Sequence, residues 1–193
     1  MNTQTSKPRS HKTLLFMAAI SVLPIIGSYL LYQWWRPTSH MNHGELVETR
    51  PVAMAALTDV ATGKPLPGPG LKGKWVLLTV QAASCDERCR HKLYLMRQVR
   101  TATNENQERI ERVWLLDGPG TPDKVLLAEH TGLWLARTSD PALTEALPAK
   151  AATDTYIYLI DPLGNLVLRY GESFEPKGML KDLGRLLKYS RIG

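Results

Sequence analysis

The sequence of 193 residues has no internal repeat and no low-complexity tract, and it contains only two cysteines. It has no evident Ser/His/Asp set for nucleophilic catalysis and no peroxidase-type arrangement. Its apolar content of 44% and its charged content of 22% are ordinary for a globular chain. The length suits one domain of ordinary size plus appendages, and two cysteines alone do not fix the cellular compartment.

Acidic residues are absent from the first dozen positions, which hold Lys7, Arg9 and Lys12. The formal net charge of the chain is +6, but the remainder holds 21 basic and 18 acidic residues, a net charge of +3. A mixed surface of this kind lacks the concentrated basic patch of a nucleic-acid-binding protein. We therefore expect no nucleic-acid partner.

Charged residues are also absent from residues 14–35, LLFMAAISVLPIIGSYLLYQWW. This run is as long as a bilayer crossing requires, and Pro24 and Gly27 are tolerated in membrane helices. Aromatic residues crowd its far end, as at a membrane interface, and the basic N-terminus should stay in the cytoplasm. A cleaved signal peptide is the alternative, but the run is longer than the usual apolar region of such peptides and no clear cleavage site follows it.

These features predict a bacterial inner-membrane protein with one membrane span and a periplasmic domain. The predicted segments are a cytoplasmic tail (1–13), a transmembrane anchor (14–35), a juxtamembrane linker (36–52) and a thioredoxin-like periplasmic domain (53–193). The linker contains His40, Met41 and His43, which are residue types that can bind copper. Incidental histidines in a hydrophilic stalk are the alternative interpretation.

The two cysteines, Cys85 and Cys89, follow a short apolar and β-branched run, Trp75–Val80. Such a run predicts a buried central strand. Apolar residues at helical spacing after the cysteines predict a helix that extends to about Thr103. The free N–H groups and the positive dipole end of a helix start favour a thiolate over a thiol.

A disulfide between Cys85 and Cys89 would close a very short loop, and the chain-entropy estimate for its stabilising effect is only about 2 kcal/mol. A close pair where a strand meets a helix is better suited to redox exchange or to soft-metal binding. A passive disulfide or a pair of inert thiols is the alternative. Residues four apart on a helix lie about 6 Å apart, within range of a bridge. We expect this bridge to be strained, exposed and therefore labile.

The rest of the chain continues the pattern of alternating strands and helices. Thr121 followed by Pro122 predicts a helix start with Thr121 as the N-cap. The predicted strands are Arg112–Asp117, Leu133–Ala136, Thr155–Ile160 and Leu166–Tyr170, and the predicted helices begin at Thr121, Asp140 and Pro176. This order predicts an α/β fold, a thioredoxin-like mixed sheet with helices on both faces.

The order of the motifs resembles the Sco/SenC family of membrane-anchored, thioredoxin-like proteins. The matching motifs are Gly73–Leu78, the Cys-x-x-x-Cys pair, Leu116-Asp117 with Thr121-Pro122, and Tyr158–Gly164. The resemblance covers about residues 60–190 and the anchor. It implies a role in cytochrome c oxidase assembly, with an oxidase subunit or another assembly factor as partner. It also implies that Cys85 and Cys89 exchange disulfides and bind copper together with a distant histidine.

Two departures separate this chain from the family pattern. The family usually has proline after each motif cysteine, where this chain has Asp86 and Arg90. The third copper ligand of the family is a histidine, and the matching position here is Thr153. His91 and His130 are candidate substitutes, although each is more simply a surface histidine. The resemblance therefore implies that any copper binding is weak and leaves its third ligand unassigned.

Three functions are consistent with these residues. The first is an assembly factor that acts as a thiol–disulfide oxidoreductase, with Cys85 as the attacking thiolate and Cys89 as the resolving one. The second is a copper(I)-binding chaperone without exchange activity. The third is a non-catalytic assembly scaffold with a passive cysteine pair.

Overall fold

The structure is a computed structural model that describes residues 11–34, 42–66, 71–148 and 153–190. The chain divides into two compact units, Met1–His40 and Met41–Gly193. The described part of the first unit is one helix, α1 (His11–Trp34). At 1.5 Å per residue, its 24 residues extend about 36 Å, which exceeds the thickness of a bilayer core. Among the described residues, α1 is the one helix long and apolar enough to cross a membrane.

The second unit is built on a mixed eight-stranded sheet in the described part of the chain. The strands are β1 (Glu45–Pro51), β2 (Leu57–Asp59), β3 (Pro65–Leu66), β4 (Trp75–Ala82), β5 (Ile110–Asp117), β6 (Leu133–Thr138), β7 (Ile157–Ile160) and β8 (Asn165–Tyr170). Their order in the sheet is β1-β8-β7-β4-β5-β6-β2-β3. β4 pairs in parallel with β5, and β5 with β6, whereas β4 and β7 are antiparallel. The predicted hairpin of the last two strands is confirmed.

Four helices accompany the sheet in the described residues of this unit. They are α2 (Glu87–Ala102), α3 (Lys124–Glu129), α4 (Pro141–Ala146) and α5 (Pro176–Tyr189). Because successive side chains of a strand point to opposite faces, the buried strand β4 supplies two cores. Leu77 belongs to a core shared with α2, α3 and α5, and Leu78 belongs to a second core shared with α4. The thioredoxin-like arrangement, with helices on both faces of the sheet, is confirmed.

In β1 and at the start of α3, the fold differs from the sequence-based expectations. β1 lies inside the segment 36–52, which the sequence predicts to be a linker, and it pairs with β8, so the folded unit begins earlier than expected. The predicted N-cap at Thr121 is wrong. The N-cap of α3 is Asp123, whose carboxylate accepts a hydrogen bond from the N–H of Val125 at 2.9 Å. Asp is a preferred N-cap residue, and the helix therefore begins two residues later.

A buried carboxylate holds the start of the second unit against α5. Asp182, which is 1% exposed, accepts hydrogen bonds at Oδ2 from the N–H groups of His43 and Gly44, both at 2.8 Å, and from the hydroxyl of Tyr170 at 3.2 Å. Burial, followed by the charge of Asp182, raises the pKa of Tyr170, so the phenol remains a donor. A Cβ on Gly44 would lie 2.7 Å from the Tyr170 ring, so only glycine allows this close approach.

We predict that Asp182→Ala lowers the free energy of unfolding by about 3 kcal/mol, because it leaves three donors without their acceptor. Asp182→Asn keeps an oxygen acceptor, and the expected loss is smaller. Lys181→Ala, at an exposed neighbour on α5, should change stability by less than about 0.5 kcal/mol. Urea unfolding of the full-length protein in a non-ionic detergent measures all three. Equal losses for Asp182→Ala and Lys181→Ala would contradict the role given to Asp182.

Candidate functional site

The two cysteines form a disulfide at the junction of β4 and α2. The Cα atoms of Cys85 and Cys89 lie 5.2 Å apart. The two residues are 4% and 1% exposed, and both belong to the core beneath α2. The expectation of an exposed bridge is therefore wrong. The pair is covered because the same helix face carries buried apolar residues such as Leu93 and Met96.

The turn before α2 forces Cys85 into an unusual backbone conformation. Cys85 has a φ of 38°, in the left-handed region that costs an L-residue about 1–2 kcal/mol. Its N–H donates a hydrogen bond to the carbonyl oxygen of Ala82 at 3.2 Å, which closes the turn at the end of β4. Strained backbone of this kind is often found at functional sites.

Asp86 is the N-cap of α2. Its carboxylate accepts a hydrogen bond from the N–H of Cys89 at 2.9 Å. This bond is the main reason why the pKa of Asp86 lies below its usual value, while burial acts in the opposite direction and the Arg88 charge lowers it further. Asp86 therefore fixes the first turn of α2, which contains Cys89. In the sequence Asp86 stands out as a departure from the family pattern, and its type also fits this role, since Asp is a preferred N-cap residue.

Cys85 lines a polar cleft of about 370 Å³. We call this the disulfide cleft, and its lining residues are Gln81, Ala82, Ser84, Cys85, Asp86, Asp117, Thr153 and Asp154. Cys89 is not part of its lining. Thr153, which was matched to the family's histidine ligand, does lie in the same cleft as Cys85, and its neighbour Asp154 lies beside it. A partner sulfur that enters this cleft meets Cys85 first.

Two buried donors position the cleft wall that carries Thr153. The side-chain amide of Gln81 donates to the main-chain carbonyl oxygen of Asp154 at 2.5 Å, and the ammonium group of Lys92 donates to the same oxygen. Burial lowers the pKa of Lys92, while the charge of Asp154 acts in the opposite direction. The short 3-10 helix Thr153–Thr155 is thereby attached to β4 and α2. No sequence pattern indicated this role for Lys92, because a lysine in a helix usually faces solvent.

The candidate histidines lie outside the disulfide cleft. His91 is exposed and stacks against Tyr94 with 6.5 Å between the ring centroids. His130 is 4% exposed, and burial is the main cause of its lowered pKa. Both line a separate groove beside α2. His43 packs over Gly178 of α5, whereas His40 and Met41 lie outside the described residues.

The described residues contain no group of three or more His, Cys, Asp or Glu side chains that could hold a metal ion. Thr153, and not a histidine, stands at the position matched to the family's third copper ligand. Two cysteine sulfurs remain as the donors that a soft copper(I) ion prefers. The arrangement fits disulfide exchange directly, because the bonded sulfurs and a cleft beside Cys85 are both present.

A family model described as "Transmembrane-like, thioredoxin-like, C-terminal domain" matches residues 75–190, which includes both cysteines. No curated protein is significantly similar in sequence to the chain.

Solved Sco structures share the fold. Yeast Sco1 with copper bound has a TM-score of 0.59 at 15% sequence identity, and the match covers 76% of this chain and 93% of Sco1. ScoI of Bradyrhizobium japonicum with copper bound has a TM-score of 0.50 at 21% identity, with coverages of 74% and 98%. BsSco, described as carrying a disulfide switch and as a member of the Sco family of cytochrome c oxidase assembly proteins, has a TM-score of 0.51 at 12% identity, with coverages of 76% and 96%.

These matches confirm the resemblance to the Sco/SenC proteins at the level of the fold. With more than half of its length matched by the family model, the chain belongs to the family of transmembrane-like, thioredoxin-like C-terminal domains.

Proposed function

We propose that the protein is a membrane-anchored thiol–disulfide exchange protein that assists cytochrome c oxidase assembly. The observation that carries this proposal is the Cys85–Cys89 disulfide, placed at the start of α2 with Cys85 lining a cleft. The likeness to BsSco, whose description names both a disulfide switch and oxidase assembly, supports the same role. The partner is an oxidase subunit or another assembly factor that carries a thiol pair or a disulfide.

In the reduced protein, the Cys85 thiolate attacks one sulfur of a partner disulfide. The partner's S–S bond breaks, its second sulfur leaves as a thiolate that takes up a proton, and a mixed disulfide with Cys85 forms. Cys89 then loses its proton and attacks the Cys85 sulfur, which restores the internal bridge and releases the partner as a dithiol. The net result is one oxidised cysteine pair and one reduced partner, and the reverse sequence oxidises the partner.

We predict that the cysteine pair cycles between dithiol and disulfide, with a reduction potential above about −300 mV, the value below which structural bridges lie. The physical reason for the potential is the left-handed backbone of Cys85, a conformation that reduction of the bridge would allow to relax, and the cleft beside Cys85 gives a partner thiol a path to react. In the reduced protein, Cys85 should be alkylated faster than Cys89, because Cys89 does not line the cleft. Equilibration with glutathione buffers, followed by thiol trapping and mass measurement, gives both quantities.

Single variants provide the matched controls. Cys89→Ser should accumulate a mixed disulfide between Cys85 and glutathione, whereas Cys85→Ser should accumulate far less at Cys89. A pair that never oxidises, or a bridge that resists every thiol buffer, would instead support the passive pair of a non-catalytic scaffold.

Copper(I) binding without thiol–disulfide exchange is the second candidate function. The position of Thr153 allows a direct test of it. Thr153 lines the disulfide cleft together with Cys85, where a histidine would add a third donor to two thiolates. We therefore expect the wild-type protein to bind copper(I) more weakly than the Thr153→His variant.

Competition with a copper(I) chelator measures this difference in the reduced full-length protein. Thr155→His is the matched control, because Thr155 belongs to the same 3-10 helix but does not line the disulfide cleft. Copper retention should rise in Thr153→His alone. A wild-type protein that already retains copper as strongly as Thr153→His must have another third ligand.

The proposed location is a bacterial inner membrane, with the N-terminus in the cytoplasm and the second unit in the periplasm. The apolar helix α1 and the basic residues that precede it support this orientation. An alkaline phosphatase fused after Gly193 should be active in intact bacteria, because that enzyme folds only outside the cytoplasm. An inactive phosphatase fusion and an active cytoplasmic reporter at the same position would reverse the topology.

A further inference from the structure

Basic side chains from α2 and β5 converge on the connection between α3 and β6. Arg97 donates from Nη1 to the carbonyl oxygen of Glu129, and Arg112 donates from Nη2 to the carbonyl oxygen of Thr131 at 2.6 Å. These two carbonyl groups flank His130. Two guanidinium groups and an imidazole are therefore held together by backbone contacts.

Two of these side chains are buried with unsatisfied nitrogen atoms. Arg112 is 2% exposed, and its Nε and Nη1 have no hydrogen-bond partner among the described residues. His130 is 4% exposed, and its Nδ1 also lacks a partner there. A buried donor without an acceptor costs about 1–3 kcal/mol, and more when it is charged. Buried groups of this kind call for a specific explanation, such as a bound ion.

Among the described residues, none of the carboxylates near this cluster forms an ion pair with Arg97, Arg112 or His130, although Glu87, Glu129 and Glu172 line the groove described below. Burial first, and then the charges of Arg100 and Arg97, lower the pKa of Arg112 to about 10. Glu111 is the acidic residue that acts on Arg112 in the opposite direction, but Glu111 already forms an ion pair with Lys74 at 3.3 Å. Water could satisfy the free nitrogen atoms, but it would leave the mutual repulsion of the arginines in place.

The groove beside α2 gives access to part of the cluster, whereas Arg112 is not in its lining and lies buried next to His130, bonded to the carbonyl oxygen of Thr131. Arg97 and His130 line this groove, which has a volume of about 570 Å³. Among the residues that the structure describes, it shares no lining residue with the disulfide cleft. Glu129 also lines the groove, but its charge is the smallest of the effects on the pKa of His130.

We propose that Arg97, Arg112 and His130 bind an oxyanion, a phosphate or carboxylate group, at the inner end of this groove. A guanidinium group presents a planar set of donors that matches both kinds of oxyanion. The bound anion would supply the negative charge that the cluster lacks and would accept from the free donors. The site is independent of the disulfide and of the exchange function proposed above.

The test is binding of inorganic phosphate to the full-length protein in a non-ionic detergent, at constant ionic strength with chloride as the reference. Calorimetric titration should detect phosphate binding to the wild type, and phosphate should raise its thermal midpoint. Arg112→Met should weaken binding at least about tenfold, the equivalent of one lost charge-assisted hydrogen bond. Arg97→Met should weaken it similarly and decides the question if Arg112→Met does not fold.

Arg137→Met is the matched control, because the Arg137 guanidinium donates to the carbonyl oxygens of Gly118 and Gly120, outside the cluster. It should bind phosphate like the wild type. Acetate used in place of phosphate distinguishes the two ligand classes: binding of phosphate alone assigns a phosphate site, and binding of both assigns a general oxyanion site. Absence of binding to the wild type, or equal binding to wild type, Arg112→Met and Arg97→Met, overturns the proposal.

Discussion

The parallel pairing of β4 with β5 is the constraint on which the rest of the structure depends. It runs from Trp75 opposite Ile110 to Ala82 opposite Asp117. Parallel neighbours need a crossover connection, and α2 provides it, so the helix must begin where β4 ends. β4 is buried until its last residue. The turn that contains Cys85 therefore forms where the chain first leaves the sheet. It lies between the core beneath α2 and the disulfide cleft.

The sequence alone was sufficient to predict the strands, turns and helices that have strong local sequence signals. The apolar run of β4, the turn between β7 and β8 and the proline at the start of α5 each predicted an element that the structure contains. β1 carried no such signal. Its sequence, ELVETRP, is mostly polar because β1 is an edge strand with largely exposed side chains, and its pairing with β8 depends on the tertiary fold. The N-cap of α3 was missed for a different reason, since Thr121 and Asp123 are both acceptable caps and only the structure distinguishes them.

The candidate site also combines residues that the sequence identifies with residues whose role depends on the tertiary fold. Cys85 and Cys89 could be identified from their type and spacing, but the groups that shape their surroundings come from separate parts of the chain. Lys92 and Asp154 are brought together by the fold, and a single sequence does not show which distant residues will be in contact. Charged residues are hard to place for the same reason. Lys92 lies on a helix and Arg112 on a strand, and their neighbours in the sequence do not indicate that either side chain is buried.

The burial of the disulfide couples the redox state of the protein to its stability. Reduction and unfolding form a closed thermodynamic cycle. The shift in reduction potential between the folded and the unfolded chain therefore equals the difference in unfolding free energy between the oxidised and the reduced protein, about 1.4 kcal/mol for each 30 mV. The loop that the bridge closes is short, so its effect on the unfolded chain is small. The potential then depends largely on the folded state, that is, on the backbone of Cys85 and on how well the core around Leu93 accommodates two separate thiols. Core residues that never touch a partner would tune the redox chemistry as effectively as residues in the cleft.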